Sequence, residues 1–287
     1  MALNSLMEEN GASTIMDESY LRADFAYFAE VSYDGTEYLG WQTQPHGKTI
    51  QSVIEKKLCY LYNAKIPVAG AGRTDTGVHA LGMGISFIPP EKPPIPMETL
   101  FKALNSVLPY SIRVNRLEKK SPDFNARFDA KGKAYTYVIH NSLERRPFSS
   151  RYSMEAKENL NINSMLEASK HLIGIHDFSS FAVEINKSGK DPVRNIFDIR
   201  IQQFGDYICI TVIGKSFLYK MVRSIIGTLY RVGTGKLSPE CLQEILESKN
   251  RLSAYDTAPS CGLFLMKVFY AEDKWEDFSI SGVPFHI

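Results

Sequence analysis

Apolar runs of strand length and of helical period follow one another in the order β-α-β-β-α-β, and that order occurs twice along the chain. The doubling restricts the fold more than any other feature, because each copy fits the split β-α-β-β-α-β motif, one sheet with two crossing helices. In the first copy residues 25–32 read as a strand. Thr49 caps a helix whose Ile50, Val53, Ile54, Leu58 and Leu61 recur at helical spacing. Short apolar runs follow at 66–69 and 81–88, then a helix carrying Leu100, Phe101, Leu104 and Leu108, then a strand at 112–117. The second copy has a strand at 134–139, a helix around 165–172, strands at 193–203 and 207–213 joined by Phe204-Gly205-Asp206, a long helix over 216–232, another after Ser238, and a closing strand at 262–270. Residues 89–96 hold five prolines and read as an extended loop.

Within the first copy, residues 72–82 read Gly72-Arg73-Thr74-Asp75-Thr76-Gly77-Val78-His79-Ala80-Leu81-Gly82. Three glycines around one carboxylate weaken helix and strand alike, so this segment reads as a site. Arg73 lies two positions from Asp75, and a nearby cation favours an ionised carboxylate. Such an aspartate can serve as nucleophile, base or metal ligand.

The formal charge of +1 hides an asymmetry. Residues 1–24 carry five acids against Arg22, which leaves 32 bases and 27 acids, a body of +5. Residues 213–236 hold Lys215, Lys220, Arg223, Arg231 and Lys236 and no acid, and residues 131–151 hold five bases against Glu144. Both runs are interleaved with aromatics, including Tyr135, Tyr137, Phe217 and Tyr219, a pairing that suits nucleic acid. No apolar run approaches the ~18 residues a membrane helix needs. The cysteines Cys59, Cys209, Cys241 and Cys261 have no metal-ligand spacing, which suggests free thiols and a cytoplasmic protein. The acidic first 24 residues read as a flexible tail, and their acidity argues against a transit peptide.

Six blocks, in order, resemble the TruA family of tRNA pseudouridine synthases over about residues 25–275. They are Tyr33-Asp34-Gly35-Thr36 with Gly40-Trp41-Gln42; Gly72-Arg73-Thr74-Asp75 with Gly77-Val78-His79-Ala80; Asn125-Ala126-Arg127-Phe128 with Tyr135; His176-Asp177-Phe178-Ser179-Ser180-Phe181; Phe217-Leu218 with Met221-Val222-Arg223; and Ala258-Pro259 with Gly262-Leu263. The resemblance implies an α+β enzyme of two ferredoxin-like halves joined into a mostly antiparallel sheet, with helices on one side and the active-site cleft between the halves. Residues 25–122 would carry the catalytic aspartate, residues 123–277 the basic RNA-binding surface, and residues 278–287 would form a tail.

The implied reaction converts uridine to pseudouridine on the 3′ side of the tRNA anticodon stem-loop, at positions 38, 39 and 40. Asp75 would be the catalytic carboxylate, attacking C1′ or C6 or assisting loss of the base through a glycal-type intermediate; the sequence leaves the three routes open. Arg73 and Arg223 would pair with Asp75 or a phosphate. Tyr135 would stack on the uracil, and its hydroxyl would help remove the C5 proton, with Tyr137 the core tyrosine of the same face. Leu263 would form part of the pocket wall, and Arg127, Lys220 and His79 would bind substrate. The isomerisation involves neither redox change nor group donor, so no cofactor is expected. No metal is expected either: His79 near a glycine-rich turn fits bonding to backbone groups, and His171 and His176 are poorly spaced to share a helix face. The resemblance further implies a homodimer binding one tRNA, and no membrane. Met83 and Ser86 stand where relatives usually carry glutamine and often histidine, a departure that would remove a polar contact near the site.

Four other readings are weaker. Asp75-Thr76-Gly77 matches the aspartic-protease signature, but those enzymes need two such aspartates sharing a proton and this chain has one. Gly233-Thr234-Gly235-Lys236 has Leu237 where a phosphate loop needs Ser or Thr. The same chemistry on a ribosomal RNA, or RNA binding without chemistry, are the remaining alternatives; the second leaves Asp75 without a purpose, because binding a polyanion gains nothing from a carboxylate.

Overall fold

A computed structural model describes residues 21–92, 94–144, 146–183 and 191–285. Among the described residues there are ten strands, which form one open, mostly antiparallel sheet, and five α-helices. In chain order these are β1 (Ala26–Tyr33), α1 (Ile50–Tyr62), β2 (Ala69–Gly70), β3 (His79–Phe87), α2 (Met97–Val107), β4 (Ile112–Lys120), β5 (Gly132–Asn141), β6 (Met154–Ala156), α3 (Ile162–Lys170), β7 (Gly174–Asp177), β8 (Val193–Phe204), β9 (Tyr207–Gly214), α4 (Met221–Gly233), α5 (Cys241–Ser248) and β10 (Leu263–Phe269).

The sheet runs β4-β1-β3-β10-β5-β9-β8-β7, with β2 on β3 and β6 on β5. Each half therefore has the same strand order, β4-β1-β3-β2 in the first and β10-β5-β9-β8 in the second. They meet where β10 pairs in parallel with the start of β3, Phe264 opposite His79 and Leu265 opposite Ala80. That junction brings the glycine-rich segment, which leads directly into β3, beside the second half.

The helices cover one face. Alternation along each strand sends Val31, Tyr33, Tyr135, Tyr137 and Val212 to that face, where they pack with Ile50, Ile54 and Leu58 of α1 and with Ile225 and Leu229 of α4. Thr49 accepts the Ser52 N–H while Ser52 Oγ accepts the Thr49 N–H, a reciprocal cap that starts α1 where the sequence predicts. Val138, Cys209 and Phe264 point to the opposite face, where Phe285 covers them.

Three expectations need correction. The helix predicted over 216–232 begins only at Met221, because Lys220 adopts φ +57° and turns the chain before it. Residues 278–285 do not form a tail: Phe278 packs edge-on against Phe269, and Phe285 is buried against Phe264 and Tyr152. Of the segment expected to be a flexible tail, residues 1–20 lie outside the described residues, while Ala23 N–H donates to Pro89 C=O and Glu91 N–H to Leu21 C=O. Residues 89–91 of the predicted loop thus hold residues 21–23. Among the described residues no helix is long and apolar enough to cross a membrane.

Candidate active site

Asp75 sits on the loop between β2 and β3, and the loop is fastened from several sides. Trp41 N–H donates to Thr74 C=O at 3.1 Å, Gly77 N–H to Tyr38 C=O at 3.3 Å, and Val78 N–H to Asp75 C=O at 3.1 Å. Thr74 Oγ1 pairs with the buried Tyr33 hydroxyl at 2.8 Å. Glycine is required where the neighbouring chain comes closest: Gly40 has φ +87°, and a Cβ there would lie 2.5 Å from the Thr74 carbonyl oxygen.

The carboxylate meets its partner from the other half. Arg223, in the first turn of α4, donates through Nη1 to Asp75 Oδ2 at 2.8 Å and through Nε to the Ala258 carbonyl at 2.7 Å. Ala258 N–H in turn donates to the Arg223 carbonyl, so the guanidinium is held at both ends. Both side chains are mostly buried, 13% and 19% exposed, which strengthens the pair and makes loss of either partner expensive. Asp75 Oδ1 accepts no bond from a described residue and is left available to a ligand.

Around this pair lies a cleft whose lining includes Gly72, Arg73, Lys133, Tyr135, Phe217, Lys220 and Leu263. Tyr135 is 7% exposed, meets Phe217 edge-on at 5.3 Å, and its hydroxyl bonds to no described residue. Burial, reinforced by the charge of Asp75, raises its pKa well above the usual tyrosine value. The phenol therefore stays protonated at neutral pH and is suited to stack and donate, not to act as a phenolate base. Tyr137, two residues on, is the core tyrosine as expected: it is fully buried and donates to the Pro259 carbonyl at 2.9 Å.

The structure brings together Asp75, Arg73, Tyr135, Arg223, Lys220 and Leu263. Arg73 is exposed and has no ion-pair partner among the described residues, so Arg223, not Arg73, holds Asp75. Arg127 does not line the cleft; its exposed guanidinium lies 5.6 Å over the Phe128 ring, outside the lining and near Lys133.

His79 also does not belong to the cleft. Strand alternation turns it to the opposite face of the sheet, where it stacks on Phe264 at 4.7 Å and its Nδ1 lies 3.1 Å from Gly35 N–H and 3.2 Å from Asp34 Oδ1. Asp34 accepts further bonds from Thr36 Oγ1 at 2.6 Å, Arg151 Nη2 at 2.8 Å and the Tyr152 hydroxyl at 3.0 Å. Burial works to raise its pKa, but the bonds from His79 and Thr36 outweigh it and hold the carboxyl far below the usual range. The block His176 to Phe181 is structural too: Asp177 caps the Ser179 N–H, and Phe178 and Phe181 are fully buried.

Met83 is fully buried and lies away from the cleft lining. Ser86 accepts the Ala126 N–H at 3.0 Å and so anchors the Asn125-Ala126-Arg127-Phe128 segment. Neither departure removes a group from the cleft. Lys133 and Phe217 were given no role from sequence, although Lys133 precedes Tyr135 by two on one strand and must share its face. Among the described residues no three His, Cys, Asp or Glu side chains gather as a metal site would.

Comparison with known proteins agrees with this geometry. The family model described as tRNA pseudouridine synthase matches residues 29–129 and 168–271. The chain is 42% identical over 242 residues to tRNA pseudouridine synthase A of Bacillus licheniformis and 41% identical over 242 residues to that of Bacillus subtilis, covering 84% of this chain and 97% of each relative. The enzyme of the same name from Thermoanaerobacter sp. is 42% identical over 240 residues, with the same coverage.

Proposed function

The chain belongs to the tRNA pseudouridine synthase family, and from that premise we propose that it isomerises uridine to pseudouridine in the anticodon stem-loop of tRNA, at positions 38, 39 and 40. The bond from ribose C1′ to N1 breaks, the base turns, and C1′ rejoins through C5, which gives up its proton while N1 regains one. Product and substrate are isomers, and no redox equivalent or group donor enters.

In this reading Asp75 is the reacting carboxylate. Arg223 holds it in place through Oδ2, which aims the carboxylate and leaves Oδ1 for the reaction. The carboxylate lies within a cleft that a base still stacked in a duplex cannot enter, so the target leaves its stack and lies on Tyr135. Base stacking of this kind contributes on the order of 1–3 kcal/mol. Leu263 closes the wall, and the exposed Arg73 and the half-buried Lys220 suit the phosphates beside the target. Residues 25–122 contribute the carboxylate, and residues 123–277 contribute Tyr135, Arg223 and the basic surface. The family likeness also supports a homodimer sharing one tRNA and a cytoplasmic location; light scattering with and without tRNA tests the dimer.

The observation that carries the proposal is the 2.8 Å pair between Asp75 and Arg223 in a cleft lined by Tyr135. The test is to incubate wild type and Asp75→Asn with unmodified tRNA transcripts, without cofactor, and map pseudouridine by carbodiimide primer extension. Stops in the anticodon arm from wild type alone support the reading. Stops only elsewhere, or only on ribosomal RNA, overturn the assigned substrate.

A further inference from the structure

Among the described residues Lys133 is the one half-buried cation lining the cleft that has no ion pair, hydrogen bond or ring contact. Arg223 is committed to Asp75 and Ala258. Lys220 lies 5.0 Å over the Tyr219 ring, and Arg73 is exposed. The Lys133 side chain runs under the backbone of the Asp75 loop: a Cβ on Gly72 would stand 3.2 Å from its Cε and 3.8 Å from its Nζ. It makes no ion pair or hydrogen bond with a described residue. A half-buried ammonium with no protein partner is left available to a ligand in the cleft.

The chemistry of the proposed reaction supplies a specific one. When the C1′–N1 bond breaks, the electron pair leaves with the base, and the detached uracil carries negative charge over N1, O2 and O4. Lys133 and Tyr135 are i and i+2 on β5 and project into the same cleft, ~7 Å apart along the strand, within reach of the edge of a ring stacked on Tyr135. We propose that Lys133 contacts a carbonyl oxygen of the target uracil and stabilises the negative charge that develops on the base as it detaches. The inference rests on the pseudouridine synthase reading above.

Such a contact is stronger in the transition state than in the ground state, where the base is neutral, so it acts on kcat more than on KM. Exposed Arg73, and Lys220 leaning on the exposed Tyr219 ring, suit phosphates, which are charged throughout; a half-buried, unpartnered amine beside the stacking ring suits a charge that appears only during reaction. Burial, with a smaller contribution from the nearby Arg127, brings the Lys133 pKa down to about 8. The other groups facing it around the cleft are Arg73 and Asp75 from the loop before β3, Tyr135 on its own strand, and Lys220 and Arg223 at the start of α4.

The test compares wild type, Lys133→Met and Lys133→Arg in single-turnover and steady-state assays on a tRNA transcript that wild type modifies. Lys133→Met is expected to lower kcat by about 10²–10³-fold, as for loss of one oxyanion donor, with KM and tRNA Kd within about threefold. Lys133→Arg should recover part of that loss. The wild-type rate should fall as pH rises through about 8, and Lys133→Met should lack that limb. Removing an unpaired buried charge should leave Tm unchanged or raised, whereas a structural lysine would lower it. A raised Kd or KM with kcat unchanged makes Lys133 a phosphate contact and overturns the proposal, as does a fully active Lys133→Met. If the Met variant does not fold, Lys133→Gln is read by the same criteria. A wild type silent on every transcript fails the underlying reaction instead, and the two failures are distinct.

Discussion

Asp75 and Asp34 are both aspartates in glycine-containing motifs, both meet an arginine from the second half at 2.8 Å, and they are built for opposite ends. Asp34 has both oxygens occupied: Oδ1 by Thr36 and His79, Oδ2 by Arg151 and Tyr152. Asp75 has one oxygen bound by Arg223 and the other free, facing the cleft. A carboxylate whose lone pairs are all used can only hold the fold together; one half-satisfied inside a cleft keeps a reactive atom in reserve. The contrast separates a clasp between the two halves from a reaction centre, though the local sequences look equally suggestive.

Four substitutions, with the Lys133 series above, break or sharpen that contrast. Asp75→Asn should have the largest effect, lowering turnover roughly 10⁴-fold or more while tRNA affinity by filter binding is kept. An Asn variant that still forms pseudouridine would remove Asp75 from the chemistry. Arg223→Ala leaves Asp75 buried without its cation, and should lower both turnover and tRNA binding. Denaturant melts should show a stability loss on the order of 3 kcal/mol.

Asp34→Asn should behave in the opposite manner, losing about 1–3 kcal/mol of stability while the folded fraction keeps its kcat. Its pH dependence follows from the depressed pKa. The stability Asp34 contributes is fully present above its unfolded value of about 3.9 and is lost as pH falls below it toward the folded value. Wild type should therefore lose its stability advantage over Asp34→Asn as acid titration proceeds below about pH 4. Equal acid sensitivity of the two proteins would refute that linkage. Arg151→Ala should be the mildest change, under about 1 kcal/mol, because Arg151 is 46% exposed and its pair is screened by solvent. A larger loss would mean that the arginine, and not His79 and Thr36, carries the clasp.

Much of this molecule was legible in its residues, and the exceptions have identifiable causes. Hydrophobic period located α1, α2, α3, β8 and β9 within a few residues, and the reciprocal cap of Thr49 and Ser52 sharpened the start of α1. The strands β6 and β7 were missed because three and four residues are too short to establish a period. Phe217 and Leu218 satisfy helical spacing, yet one left-handed residue at Lys220 excludes them from α4, and no composition rule anticipates it. Residues 278–287 are expected to form a tail, but Phe278, Ile280, Val283 and Phe285 find apolar partners on the face of the sheet opposite the helices.

The order of elements, the glycine-bracketed Asp75 and the aromatic and basic residues of the second half are properties of the sequence alone, because period, turn chemistry and charge are local. Which arginine holds Asp75, that His79 faces away from the cleft, and that Lys133 lies under Gly72 were decided by tertiary structure. Arg223 lies 148 positions from Asp75 and meets it only because β3 and β10 join in parallel at the seam between the halves. Strand alternation then distributes neighbours to opposite faces, sending Val78 and Tyr135 toward the helices and His79 away from them. Local chemistry selects the groups, and the register of one strand pair determines which of them share a site.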